Sequence, residues 1–328
     1  MDFFISIMLL SINILEEKLM DYVIKRILNA VVVLWIVITI TFFLMHAIPG
    51  GPFTAEKSLP PYVLHSIEER YKLNDPIYKQ YSDYLENLLH GDLGPSFKYP
   101  GRSVNDIIKD GFPVSFKLGI EAIFIALIIG IPAGILAAVK KGKWQDKLVN
   151  FCTTLGVAVP SFVVAALLIY VLSTKLHLLP AAMWSGWKYE IMPALALSGM
   201  PMSFIAKLTR SSMLDILGQD YIKTAKAKGL SWNKVLLKHA LPNSLIPLVT
   251  YLAPMTAGIL TGSFVIESIF AIPGLGQYFV TSIYNRDYTV ILGVTIFYSV
   301  IVIVLNMLVD LIYPLLDPRI KLGGEKSE

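Results

Sequence analysis

Between two apolar runs the chain reads YIKTAKAKGLSWNKVLLKHALP, Tyr221–Pro242. The stretch is polar and basic. Ile222, Ala225 and Leu230 make a thin apolar edge, and Lys223, Lys226 and Lys228 make a basic one. Asp215 and Asp220 suit the N-termini of short helices, whose dipoles favour acids. Gly229 suits a helix C-terminus or tight turn. Ser231 is placed to cap a second helix through Trp232, Val235, Leu236 and His239. The small residues Thr224, Ala225 and Ala227 let such a helix sink into a groove on another protein. A merely solvated loop explains the lysines, but not the Ala/Gly pattern or Trp232.

What surrounds this stretch decides the fold class. Of 328 residues, 55% are hydrophobic and only 16% charged, outside the range of ordinary soluble chains. The apolar residues gather in charge-free runs: Ile27–Ile48, Ala122–Val139, Leu148–Thr174, Leu241–Ile266 and Tyr288–Val309. Ile191–Ala206 joins them if the chain through Leu208 is counted. A bilayer-spanning helix needs roughly 20 such residues. The reading is an all-α integral membrane protein with six transmembrane helices.

Lys and Arg in short loops mark the cytoplasmic side. Lys18, Lys25 and Arg26 precede the first run, and Lys140, Lys141, Lys143 and Lys147 fill the turn after the second. Seven Lys or Arg between Lys207 and Lys238 face only Asp215 and Asp220. Residues 49–115 instead carry seven basic against nine acidic side chains. Both termini are therefore expected in the cytoplasm, with 49–115 outside. That outer segment is long for a simple connection. Its amphipathic stretches, Pro61–Lys72 and Pro76–His90, predict a small helical cap. The domain reading is a leader or mis-assigned start at 1–19 with Met20 as the natural start, then a first span at 20–48 and the outer loop at 49–115. A core at 116–315 follows, with its polar segment at 211–242, and a cytoplasmic tail at 316–328.

Within the core, Gly130-Ile-Pro-Ala-Gly134 and Gly258-Ile-Leu-Thr-Gly262 are small-xxx-small spacings that read as helix packing. Pro160, Pro201 and Pro254 interrupt spans three to five. The intramembrane carboxylates Glu121, Glu267 and Asp310 fall near span ends, which argues against proton coupling. His46, His65, His90, His177 and His239 are scattered, and no two stand four apart, so no metal site is expected. Cys152 is alone and forms no intrachain disulfide. A net charge of +4 does not mark a nucleic-acid binder. The nearest approach to a phosphate-binding loop, Gly51–Ser58, has Glu56 where a second glycine must turn the backbone. The chain is not expected to bind ATP or to be an enzyme.

The segment at Tyr221–Pro242 resembles the coupling signature of ABC-importer membrane subunits: an Ala-rich turn, a Gly, and a closing Leu-Pro. Thr224 and Ala225 fall on the two alanine positions, Gly229 on the glycine and Leu241-Pro242 on the closing pair. Lys223 replaces the usual glutamate and His239 the usual isoleucine. The wording Tyr221–Leu230 is similar to the peptide/nickel branch of that family. Glu267–Gln277 with Asn285-Arg-Asp-Tyr288, and Asn306 through Ile320, resemble the same branch. Ile48-Pro-Gly-Gly-Pro-Phe53 and Gly91-Asp-Leu-Gly-Pro-Ser96 are similar to B-type subunits of oligopeptide/dipeptide permeases. The resemblance covers about residues 20–321.

The resemblance implies a type I ABC importer permease fold in a bacterial or archaeal plasma membrane. It implies a sister permease, two ABC ATPases and an extracytoplasmic peptide-binding protein as partners, with ATP and Mg held by the ATPases. The residues expected to meet an ATPase are Tyr221, Lys223, Thr224, Ala225, Lys226, Ala227, Lys228, Gly229, Leu230, Leu241 and Pro242. Of these, Thr224, Ala225, Ala227 and Gly229 are expected to grip, with the lysines as a fringe. Glu267, Pro273, Gly274 and Tyr288 are expected at the translocation path or its outer gate; the plainer reading of Glu267 is a cap on the Pro-Gly loop that follows it. The implied cargo is peptide. Nickel or glutathione is the nearest alternative, and an ion-coupled carrier working without ATPases is the alternative from another class.

Overall fold

The computed structural model describes residues 2–47, 53, 62, 65, 68, 69, 71–260 and 264–316. These residues are almost wholly helical, with one isolated antiparallel bridge between Pro95 and Ser103. Helix α1 (Asp2–Ala47) is continuous. Residues 2–19, read as a leader or mis-assigned start, are helical and continuous with the helix that carries the first apolar span, Val23–Ala47. Nothing in Leu19-Met-Asp-Tyr-Val23 breaks a helix. Leu28, Val31, Trp35 and Leu44 lie on the surface of α1, as lipid-facing side chains do when the solvent is hydrocarbon.

Helix α2 (Ile77–Leu89) falls in the second amphipathic stretch of the outer segment. It leans on the end of α1, where Tyr81 OH and Thr39 Oγ1 hydrogen-bond at 2.6 Å and Tyr81 packs on Phe42. Half of Pro61–Lys72 lies outside the described residues, as do residues 51–58 apart from Phe53.

Helix α3 (Val104–Val139) begins earlier than expected. A capping box starts it at Val104, inside the outer segment expected to run to residue 115. Asp106 N–H donates to Ser103 Oγ at 3.1 Å, and Ser103 N–H donates to Asp106 Oδ2 at 3.0 Å. This reciprocal pairing satisfies two N-terminal donors. Pro113 is carried inside the helix.

The expected third span is broken. Helix α4 (Trp144–Ala158) ends at Val159, and α5 (Ser161–Leu168), prolonged by a π-helical turn Ile169–Lys175, leaves at 105° to it. Pro160 cannot donate a hydrogen bond, and the residue before a proline is driven to extended backbone; Val159 has ψ 121. Among the described residues, five helices are long and apolar enough to cross a membrane, or six if the bent pair is one span.

Helix α6 (Trp187–Leu217) runs parallel to α3. Lys117 meets Glu190, Gly130 faces Met202 and Ile205, Gly134 faces Ala206 and Thr209, and Ala138 shares a cluster with Met213. A Cβ on Gly134 would come 2.6 Å from the Ala206 carbonyl oxygen, so only glycine allows this approach. Gly130 and Gly134 thus pack as expected. Gly258 does not: a Cβ there would meet nothing within 4 Å, and Gly262 lies outside the described residues.

Helix α10 (Ile246–Leu260) packs antiparallel to α3, with Ile259 and Leu260 at Gly119. The stretch before it holds α7 (Asp220–Ala227), α8 (Trp232–Lys234) and α9 (Leu241–Ser244). After it come α11 (Phe264–Ile269), α12 (Leu275–Asn285) and α13 (Tyr288–Leu316). Val104, Ile107, Leu275, Val290 and Val294 form the core at one end. Ala138, Met213, Ile222, Val235 and Ala240 form it at the other. The lysine-rich turns lie at this second end.

Candidate functional site

The segment 220–244 is a compact folded unit. Asp220 stands in the first turn of α7, where its charge favours the helix dipole. Asp215, expected at a helix start, lies instead near the C-terminal end of α6. Helix α7 closes with two reverse hydrogen bonds: Leu230 N–H to Ala225 O at 3.3 Å and Gly229 N–H to Lys226 O at 2.9 Å. This closure needs a left-handed residue after the helix, and Gly229 has φ +78. Ser231 occupies the cap position of α8, but its side chain makes no capping bond. The helix that follows is π-helical over Val235–Ala240. Pro242 has no N–H to give to an α-helical ladder, which fits the wider turn just before it.

Tyr221 ties the two halves together. Its hydroxyl accepts from Asn243 Nδ2 at 3.0 Å and donates to His239 O at 3.4 Å. Ile222 and Ala225 are buried against Ala138, Met213, Val235 and Ala240, with Leu230 and Leu241 packed beside them. Ala225, expected to grip a partner, is thus turned into the chain's own core. Ile222 and Ala225 stand three apart on one helix side, and this apolar edge is spent on the chain's own core. Tyr221, Lys223, Thr224, Lys226, Ala227, Lys228, Gly229 and Pro242 remain exposed. Lys223 pairs with Asp220 at 2.8 Å, and Lys226 Nζ stands 4.4 Å from the Trp232 ring centroid. That cation–π contact accounts for Trp232, which a solvated loop does not need.

The turn holding Lys140, Lys141 and Lys143, with Lys147 in the first turn of α4, is fastened to the same end. Arg210 on α6 grips Asp146 on α4 through two bonds, Nε to Oδ1 at 2.7 Å and Nη2 to Oδ2 at 3.0 Å. Gly142 N–H and Asn150 Nδ2 also donate to Asp146, at 2.8 and 2.7 Å. Met213, one turn beyond Arg210, takes the Ser244 hydroxyl on its sulfur at 2.9 Å.

At the opposite end, the four residues expected at a path or gate are mostly internal. Glu267 is completely buried. Its carboxylate accepts from Ser115 Oγ at 2.8 Å, from Gln277 N–H at 3.1 Å and from Gly276 N–H. Ser115 Oγ in turn accepts from Leu275 N–H at 2.9 Å. Glu267 thus caps the N-terminus of α12, the plainer of its two readings. Gly274 is buried against that carboxylate, so that any Cβ there would overlap it. Tyr288 is buried beside His46, with ring centroids 5.9 Å apart. Pro273 alone of the four is exposed.

Two residues not singled out from sequence organise this end. Asp287 is fully buried and accepts from the Ser96 hydroxyl, from the N–H groups of Phe97 and Lys98 and from Thr289 Oγ1. Lys117 on α3 bonds Glu190 at 2.7 Å and lies 3.8 Å from Glu121. The signals were present as motifs: Ser96 closes the Gly91–Ser96 stretch and Asp287 belongs to Asn285–Tyr288. Their meeting was not readable from either.

Residues 130–322 match the family described as binding-protein-dependent transport system inner membrane component. Residues 19–119 match the N-terminal region of such membrane components. The chain is 50% identical over 301 residues to the dipeptide transport system permease protein DppB of Bacillus subtilis (strain 168), covering 92% of this chain and 98% of that one. It is 46% identical over 306 residues to the oligopeptide transport system permease protein OppB of Escherichia coli (strain K12), covering 92% and 100%. A solved structure of the MetNI methionine ABC transporter, inward facing, matches with TM-score 0.55 and 19% identity over 64% of this chain and 96% of that one. That likeness shows the fold, an all-α membrane architecture of the type I importer class.

Proposed function

The chain belongs to the family of binding-protein-dependent transport system inner membrane components, and from that premise we propose that it is the membrane-spanning permease subunit of an ATP-driven importer of dipeptides or oligopeptides. The observation that carries this reading is identity near one half over almost the full length of dipeptide and oligopeptide permeases. The exposed face of α7, small and basic, supports it by offering a partner a shallow, positively rimmed surface.

In this reading the lysine-rich end is cytoplasmic, because Lys and Arg in short loops are retained there. Both termini share that side. The chain pairs with a sister permease, and cargo passes between the two. ATP and Mg are held by two separate ATPases, one of which docks on the outward face of α7. An extracytoplasmic binding protein delivers peptide at the opposite end, where α2 and the 91–103 loop form the outer cap. When the ATPases close, they displace the segments 220–244 of both permeases. The cavity then turns outward, and transfer follows from the different affinities of the two states for peptide.

The test is reconstitution. The chain is purified with its co-isolating subunits and placed in proteoliposomes with ATP on the ATPase side and loaded binding protein on the other. ATP-dependent accumulation of a labelled dipeptide or tetrapeptide is expected. Accumulation of glutathione or nickel but neither peptide would replace the cargo assignment. Uptake by the chain alone, without ATPases, would remove the permease-subunit reading.

A further inference from the structure

Helix α4 is clamped along α6 at two points. Near its C-terminus, Gly156 lies so close to Ser203 that any Cβ would overlap the serine hydroxyl. Near its N-terminus stands the Asp146–Arg210 pair. Asp146 is 4% exposed, and its carboxylate accepts from Arg210 Nε and Nη2, Gly142 N–H and Asn150 Nδ2. These donors leave it one orientation.

Arg210 keeps 26% of its side chain exposed against 6% for Asp146, and an ion pair so largely withdrawn from water is a poor device for stability alone. Desolvating two charges costs about as much as their attraction returns, and apolar residues of the same volume would join two helices as well. What a bidentate pair adds is direction: the guanidinium fork and carboxylate meet in one plane and resist sliding and rotation. Here that rigidity lies between two informative neighbours. One turn beyond Arg210, Met213 is fully buried, packs with Ile222 and Ala225 of α7, and takes the Ser244 hydroxyl. Beyond the other end of α4, the chain turns by 105° at Pro160 into α5. The 220–244 segment packs on the end of α6, the end of α6 holds the start of α4, and α4 leads to the bend at Pro160.

We propose that Asp146 and Arg210 are positioning residues: they form the joint that makes α4 follow the 220–244 segment, so that displacement of α7 reaches the bend at Pro160. This rests on the coupling role proposed above for that segment. Without the joint, α7 and the end of α6 still move when the ATPases close, but the start of α4 no longer follows them, and α4 stays tied to α6 near its C-terminus, at Gly156 and Ser203. ATP is then consumed with less cargo moved.

The test uses the complete reconstituted complex with a labelled dipeptide as probe. The quantity read is ATP hydrolysed per dipeptide carried, which does not depend on how much complex assembles. Arg210→Gln is expected to raise this ratio roughly tenfold, near the upper end of coupling changes made by single residues. A lost structural brace lowers both rates together and leaves the ratio unchanged. A ratio within about threefold of wild type for Arg210→Gln overturns the joint. Should that variant fail to assemble, the same criterion is applied to the isosteric Asp146→Asn. A wild-type complex that carries dipeptide without ATP would overturn the coupling reading itself, and the joint with it.

Discussion

Ser96 donates its hydroxyl to the carboxylate of Asp287, 191 residues further along the chain. The same carboxylate takes the N–H groups of Phe97 and Lys98, both at 3.2 Å. Thr289 reaches back to the Pro95 carbonyl at 2.7 Å. One buried acid at the head of α13 thus holds the loop that leads into α3. Asp287→Ala takes the acceptor from the Ser96 hydroxyl and the Phe97 N–H, while Lys98 N–H keeps Ser96 Oγ and Thr289 keeps the Pro95 carbonyl; an unsatisfied buried donor costs about 1–3 kcal/mol. The expected loss is about 3 kcal/mol in all, read as a lowered unfolding temperature in detergent, with Asp287→Asn milder. An unchanged unfolding temperature for Asp287→Ala would refute the anchoring role.

The two alanines of α7 should separate by mechanism. Ala227 is exposed and Ala225 is buried in the chain's own core. Ala227→Glu is expected to keep wild-type thermal stability while weakening ATPase co-purification by roughly tenfold or more, as loss of an interface anchor does. Ala225→Glu is expected to lower stability first, by placing a charge beside Met213 and Val235. Equal effects of the two on stability would mean that the faces are assigned wrongly.

Glycine substitutions distinguish packed from open positions. Gly134→Ala forces a methyl towards the Ala206 carbonyl and Thr209 Cβ, at 2.6 and 2.7 Å, and overpacking of this kind costs about 1–3 kcal/mol. Gly258→Ala meets nothing within 4 Å. Thermal unfolding of the purified chain should fall for the first and hold or rise slightly for the second, since alanine also favours helix. The reverse order would overturn the parallel α3–α6 contact.

Glu267 is expected to act through α12 and not through cargo. Glu267→Ala orphans the Gly276 and Gln277 N–H groups and should lower stability by about 2 kcal/mol. Glu267→Gln keeps an acceptor and should leave the concentration dependence of dipeptide uptake close to wild type. A large change in that dependence, with stability intact, would return Glu267 to the translocation path.

Much of the candidate site was legible because it depends on local chemistry. Gly229 was readable as a helix terminator from its neighbours alone, and its left-handed backbone closes α7 as that reading requires. The apolar edge of Ile222, Ala225 and Leu230 was also readable; what it faced was not. Periodicity tells which side chains share a side of a helix, but not whether that side meets another chain or its own. Ser103 and Asp106 carried the start of α3 in the capping-box spacing, which the longer apolar run downstream obscured.

The sequence by itself determined that this is a helical membrane protein, because charge-free runs of bilayer length can satisfy their backbone only as helices in lipid. It also determined which segment is basic and exposed between spans, because charge and glycine placement act locally. Only the tertiary structure decided that Ala225 turns inward, that Glu267 caps α12, and that Tyr221–Pro242 packs on the end of α6, which holds the start of α4. Those outcomes depend on residues far apart in the chain meeting in space: Asp146 with Arg210, Ser115 with Glu267, Met213 with Ser244. No local pattern encodes such meetings, since each partner alone reads as an ordinary polar or apolar residue near the end of a span.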